Sequence, residues 1–256
     1  MVKISTWLCF LTLGLGASLR AAEDERPVVD ATKVAVEQIR NHALPTLYLV
    51  GDSTVKSGGS KGMIGWGERL APWFDTNRIN VINRAIGGRS ARTYFNEGRW
   101  DAVAAELKPG DFVLIQFGHN DQGRIGDPAN KNRADGKGLG EEVVEDVKPD
   151  GTKESVHTFG WYLNHFATSA KARGATVVIC APIPHKDRWE KGRDFADLAG
   201  WDREVARKNG VYFLDLTLAV TATYQKLGPA AVAPLFADRG THTTDAGAQT
   251  NALCVV

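Results

Sequence analysis

The sequence predicts an α/β domain whose five-stranded parallel sheet is covered on both faces by helices. Three observations carry this. Short β-branched runs alternate with segments of helical apolar spacing, which is the signature of strand–helix–strand units. Neither a repeat nor a Pro/Gly/Ser-rich linker interrupts the alternation, so residues 23–256 read as one domain. With 256 residues, 43% hydrophobic and 24% charged, the chain has an ordinary globular composition and enough length to bury a core without metal or disulfide staples.

The elements follow in order. Residues 46–50 (TLYLV) form the first strand, 66–74 a helix and 79–83 the second strand. A helix is expected over 100–107 and the third strand over 111–117 (DFVLIQF). Residues 156–173 have helical apolar spacing and end at Gly174; 176–181 (TVVICA) form the fourth strand. A helix over 194–209 closes at Gly210, a fifth strand occupies 211–214, and helices take 216–227 and 245–253. Only 14 residues follow His242, so that last helix is expected to be short. Residues 122–155, rich in Gly, Asp, Lys and Asn, are expected to be irregular. They leave the third strand at its carboxyl edge, where open α/β sheets bind ligands.

The first 22 residues read as a secretory signal peptide. Lys3 precedes a nearly unbroken apolar run over 4–15, and small residues follow at Gly16, Ala17, Ser18, Ala21 and Ala22. Export places the protein outside the cell or in the periplasm, off the membrane once the segment is cleaved. The formal charge of +1 argues against a nucleic-acid partner held by a basic face. Cys180 and Cys254, left after cleavage of the segment holding Cys9, have no metal-ligand spacing, and Cys180 reads as an inert core thiol. No metal, cofactor or second subunit is expected.

Polar residues cluster where strands end. Gly51-Asp52-Ser53-Thr54 follows the first strand, and a serine at such a turn presents its hydroxyl at the sheet edge. A helix cap explains an isolated Asp-Ser equally well. After the second strand comes Ala85-Ile86-Gly87-Gly88-Arg89-Ser90; adjacent glycines let backbone approach a ligand. The third strand runs into Gly118-His119-Asn120-Asp121, where an Asn either donates to the same point or closes an Asx turn. Asp238-Arg239-Gly240-Thr241-His242 lies near the C-terminus, and a His beside an Asp serves as a base with an orienting partner.

In this order the four blocks resemble the SGNH (GDSL-like) hydrolase superfamily. GDST, NRAIGGRSARTYF, QFGHND, VHTFGWYL and THTTDAGA resemble, within it, the rhamnogalacturonan acetylesterases, over about residues 45–253. The resemblance implies a flavodoxin-like three-layer α/β/α sandwich with strand order 2-1-3-4-5. It implies Ser53 as nucleophile, His242 as general base and Asp238 as its orienting carboxylate. It places the oxyanion hole on the Ser53 and Gly88 N–H groups and the Asn120 side chain, with His119 a neighbour. The substrate it implies is an acetylated pectic polysaccharide or oligosaccharide.

The sequence departs from the family at the last block. The family spacing is Asp-x-x-His, and here one residue more separates Asp238 from His242. Gly240 is expected to absorb it in a bulged turn, with Asp245 as the substitute carboxylate. Trp189 is the candidate for stacking on a sugar ring, or else it anchors its own loop; Arg188 and Lys186 are candidates for uronate carboxylates. An acyl esterase or lipase of other specificity, and a sugar-binding protein on an inactive esterase fold, are the alternative functions. A dinuclear metallophosphoesterase is disfavoured, because its blocks would run in another order.

Overall fold

In a computed structural model describing residues 41–191 and 194–256, five parallel strands form the central layer. The signal peptide expected over 1–22 lies outside the described residues. The chain gives β1 (Thr46–Gly51), β2 (Asn80–Asn83), α1 (Ala91–Asn96), α2 (Arg99–Glu106) and β3 (Phe112–Gln116). It continues through β4 (Val143–Val147), β5 (Lys153–His157), α3 (Phe159–Ala172), β6 (Thr176–Cys180) and α4 (Ala196–Asn209). It ends with β7 (Tyr212–Leu214), α5 (Leu216–Leu227), α6 (Pro229–Val232) and α7 (Asp245–Ala252). The sheet order is β2-β1-β3-β6-β7, the expected 2-1-3-4-5 among the parallel strands.

Strand alternation sorts the core into two layers. Tyr48 and Val50 of β1 pack with Val113, Ile115, Tyr162 and Phe166 on the α1–α4 side. Leu47 and Leu49 face the other way, onto Trp66, Leu216, Val220, Tyr224 and Ala252. Burying each such large side chain contributes about 1.5–3 kcal/mol, so both helical layers are needed to cover the sheet. Cys180 is buried at the end of β6, where burial pushes its thiol well above its ordinary range.

Three elements differ from expectation. Residues 66–74 form two 3₁₀ turns, Trp66–Arg69 and Ala71–Trp73, instead of a helix. Pro72 has no N–H to continue one. A Cβ on Gly67 would lie 2.4 Å from the Val55 carbonyl oxygen, so this segment is pressed against the turn that follows β1. Where 122–155 is expected to be irregular, β4 and β5 pair as an antiparallel hairpin, and β5 takes residues 156 and 157 from the expected helix. Ser90 opens α1, which the sequence reading missed, through a reciprocal capping box with Thr93.

Candidate active site

The site sits at the carboxyl ends of β1, β2 and β3, the crevice edge of an open parallel sheet. Only glycine fits at the end of β1, since a Cβ on Gly51 would lie 2.5 Å from the Gln116 carbonyl oxygen and 2.7 Å from Val55 Cγ2. Asp52 then folds the turn, its Oδ1 accepting from the Thr54 N–H and hydroxyl, both at 2.8 Å. Beneath the turn, His119 Nδ1 lies 3.3 Å from Asp52 Oδ2. Burial opposes charge on both groups, but their mutual attraction prevails: Asp52 is held below the usual carboxylate range and His119 above the usual imidazole range. His119 Nε2–H donates to the Ile183 carbonyl at 3.0 Å, so the pair is locked in place under Ser53.

Ser53 Oγ faces His242 Nε2 at 2.9 Å. His242 is carried on the loop before α7. That loop is pinned by bonds from Ile64 N–H to the Thr243 carbonyl and from the Thr243 hydroxyl to the Ile64 carbonyl. Behind it, Asp238 Oδ2 lies 2.5 Å from His242 Nδ1. Asp238 Oδ1 accepts from the N–H groups of Gly240, Thr241 and His242 at 2.8–3.0 Å. Partial burial disfavours its charge, yet the His242 bond and these N–H bonds hold Asp238 well below the usual carboxylate range. The extra residue is therefore taken up by a turn closed on the Asp238 carboxylate. Gly240 is not among the glycines with positive φ, so its conformational freedom is not what absorbs it.

The glycine turn packs directly on the serine: a Cβ on Gly87 would be 3.6 Å from Ser53 Cβ. Gly88 adopts φ +75°, the left-handed region that favours glycine. Among the described residues, neither the Ser53 N–H nor the Gly88 N–H has a hydrogen-bond partner. Asn120 is 9% exposed, with Nδ2 donating to the Arg89 carbonyl at 3.1 Å. Asp121 ties the two loops together by accepting from Ala91 N–H and Gly118 N–H, each at 2.7 Å. This brings a hydroxyl, an imidazole, a carboxylate and three donors to one edge, which is the constellation acyl transfer requires.

A model of the GDSL-like lipase/acylhydrolase family matches residues 49–250. The chain belongs to this family. It is 36% identical over 205 residues to a rhamnogalacturonan acetylesterase of Emericella nidulans, covering 79% of each chain. It is 32% identical to the probable rhamnogalacturonan acetylesterase YesY of Bacillus subtilis, covering 74% of this chain and 78% of that one. Among solved structures it resembles Bacillus subtilis YxiM, with TM-score 0.65 and 26% identity over 82% of this chain and 55% of that one. A mutant of the Geobacillus acetyl-xylooligosaccharide esterase Axe2 shares the fold, with TM-score 0.55 and 22% identity over 82% of this chain and 92% of that one. This GDSL-family protein is a carboxylic-ester hydrolase with the three-layer α/β/α architecture.

The structure corrects one expected substrate contact. Trp189 is 4% exposed and packs edge-on against Tyr224 at 5.8 Å, so it anchors its loop to the core and offers no face to a sugar. Lys186 Nζ sits 5.9 Å from the Phe236 ring centre, and its N–H donates to the Gly240 carbonyl behind the Asp238–His242 turn. Arg188, with its side chain 59% exposed, lines a cavity of about 450 Å³ together with Asp121, Asp135, Lys137, Asp194 and Trp201. Ser53 and His242 do not line this cavity; Asp121, next to Asn120, connects it to the site. Asp245, the alternative carboxylate, pairs with Arg69.

Sequence reading missed Arg133. It lies in the loop after β3, and its Nη1 donates to Asn120 Oδ1 at 2.6 Å. A lone arginine in a polar loop gives no local signal of such a contact.

Proposed function

We propose that the protein is a secreted acetylesterase that removes acetyl groups from acetylated pectic polysaccharide, rhamnogalacturonan or its oligosaccharides, by a Ser53–His242–Asp238 acyl-enzyme mechanism. The observation that carries the reading is the continuous chain from Ser53 Oγ to His242 Nε2 at 2.9 Å and from His242 Nδ1 to Asp238 Oδ2 at 2.5 Å. The relatives named rhamnogalacturonan acetylesterase support the substrate class.

Ser53 Oγ attacks the acetyl carbonyl carbon while His242 Nε2 takes its proton. Negative charge develops on the carbonyl oxygen, facing Ser53 N–H, Gly88 N–H and one Asn120 Nδ2 hydrogen. The intermediate collapses, the C–O bond to the sugar breaks, and the sugar oxygen takes the proton from His242. Water, deprotonated by His242, then attacks acetyl-Ser53; the acyl C–Oγ bond breaks, Ser53 Oγ takes the proton back from His242, and acetate leaves. The reaction is hydrolytic and needs no cofactor. Asp238 holds Nδ1 protonated, leaving Nε2 to accept, and stabilises the imidazolium that forms. Arg188, which lines the neighbouring cavity 3.8 Å from Asp194, is the candidate for a uronate carboxylate. Secretion follows from the signal-like residues 1–22, and the protein acts as a monomer.

Acetate release from acetylated rhamnogalacturonan, acetylated xylan and chitin oligomers tests the substrate. Rhamnogalacturonan should be deacetylated fastest. Faster release from xylan or chitin, or none from rhamnogalacturonan, overturns the assignment.

A further inference from the structure

We propose that Arg133 is a positioning residue for the oxyanion hole, fixing and polarising the Asn120 amide. The proposal rests on the Ser53 esterase reading and adds to it a part of the site that lies outside the triad.

A guanidinium only donates and a backbone carbonyl only accepts. Arg133 Nη1 at 2.6 Å therefore fixes which end of the Asn120 amide is oxygen. The Arg89 carbonyl, 3.1 Å from Nδ2, fixes the other end. With both anchors in place, one Nδ2 hydrogen is used by Arg89 and the second is left for the substrate oxygen. Without Arg133 the amide keeps its nitrogen anchor alone, and its plane is less firmly held.

The contact is also electrostatic. The hydrogen bonds of Arg133 among the described residues run to neutral oxygens: Asn120 Oδ1, Gly88 O at 3.4 Å, Asn130 O at 3.0 Å and Asn130 Oδ1 at 3.5 Å. A charge-assisted bond to the amide oxygen draws electron density from the nitrogen and makes Nδ2–H a stronger donor. The same Nη1 reaches the carbonyl of Gly88, whose N–H is the second donor. One side chain thus braces the glycine turn and the Asn120 amide together. The backbone supports the placement. Lys131 and Asn132, at φ 52° and 53°, are consecutive non-glycine residues in the left-handed region, and they turn the chain immediately before Arg133.

The test is a double-mutant cycle on a small acetyl ester without a carboxylate, 4-nitrophenyl acetate. Arg133→Met should lower kcat by about 10–100-fold, less than the 10²–10³-fold typical of deleting an oxyanion donor. KM should stay within about two-fold, because the group acts on the transition state. Arg133→Lys, which keeps charge but not the planar fork, should fall between wild type and Arg133→Met. In an Asn120→Ala background the same Arg133 substitutions should cost much less, no more than the long contact to the Gly88 carbonyl contributes. Should Arg133→Met fail to fold, the Arg133→Lys cycle decides between the same two outcomes. An equal loss in both backgrounds, or a change confined to KM, overturns the proposal. Wild-type activity that survives Ser53→Ala overturns the esterase reading itself, and the proposal with it.

Discussion

Asp238 Oδ2 and His242 Nδ1 meet at 2.5 Å across a spacing one residue longer than Asp-x-x-His. The carboxylate does two jobs at once. Its Oδ1 closes the turn on three N–H groups while its Oδ2 orients the imidazole.

Asp238→Asn separates these jobs. The amide oxygen keeps the turn bonds, but the amide nitrogen then faces the His242 Nδ1 hydrogen, donor against donor. Activity should fall, by about two orders of magnitude less than in Ser53→Ala, while the melting temperature changes little. Asp245→Asn, which disturbs outer contacts with Arg69 and Gln249, should leave kcat/KM unchanged. Kinetics of the two variants side by side decide the point: loss in the second alone would assign the wrong carboxylate.

Trp189→Ala should destabilise the fold by about 3–5 kcal/mol, the usual cost of emptying a buried aromatic site, since its ring lies against Tyr224. Trp189→Phe, which refills most of the space, should keep KM for an acetylated oligosaccharide. A KM rise in Trp189→Phe without loss of melting temperature would restore the stacking role.

The buried Asp121–Asp135 pair makes stability depend on pH. Burial raises both carboxyls; the Asp121 charge pushes Asp135 up further, and the Asp52 charge does the same to Asp121. Neither Asp135 oxygen meets a donor among the described residues, so the pair retains a proton well above the ordinary carboxylate range. The folded value lies above the unfolded one, so stability is fully present below the unfolded value and is lost as pH rises toward the folded one. Asp135→Asn supplies a permanent donor and removes that loss. Its gain in melting temperature should be larger at about pH 8 than at about pH 4, because the loss begins at the ordinary carboxylate value and grows as pH rises. A gain independent of pH would contradict the shared proton.

The sheet was legible because its buried strands are short β-branched runs, such as TVVIC in β6, that admit few other readings. The polar groups were legible as a set, since Ser53, Gly88 and Asn120 follow β1, β2 and β3, where a parallel sheet opens its crevice, and His242 follows Asp238 in the loop before α7. What failed depends on contacts between distant segments. Trp189 has the same local sequence whether it faces solvent or Tyr224, 35 residues away. Arg133 meets Asn120 only because the 122–155 loop folds back over the glycine turn. The β4–β5 hairpin had a signal that the irregular reading passed over. Pro149-Asp150-Gly151 is a turn sequence between the valine-rich β4 and the polar β5.

The central claim is that Ser53 is an activated nucleophile, and covalent labelling tests it most directly. A fluorophosphonate should add one phosphonyl group to the Ser53 peptide, read by mass spectrometry, with activity lost in parallel. Ser53→Ala should neither label nor release acetate, consistent with the roughly 10⁶-fold loss when a triad serine is removed. An adduct on another residue, or acetate release by folded Ser53→Ala near the wild-type rate, would contradict the account.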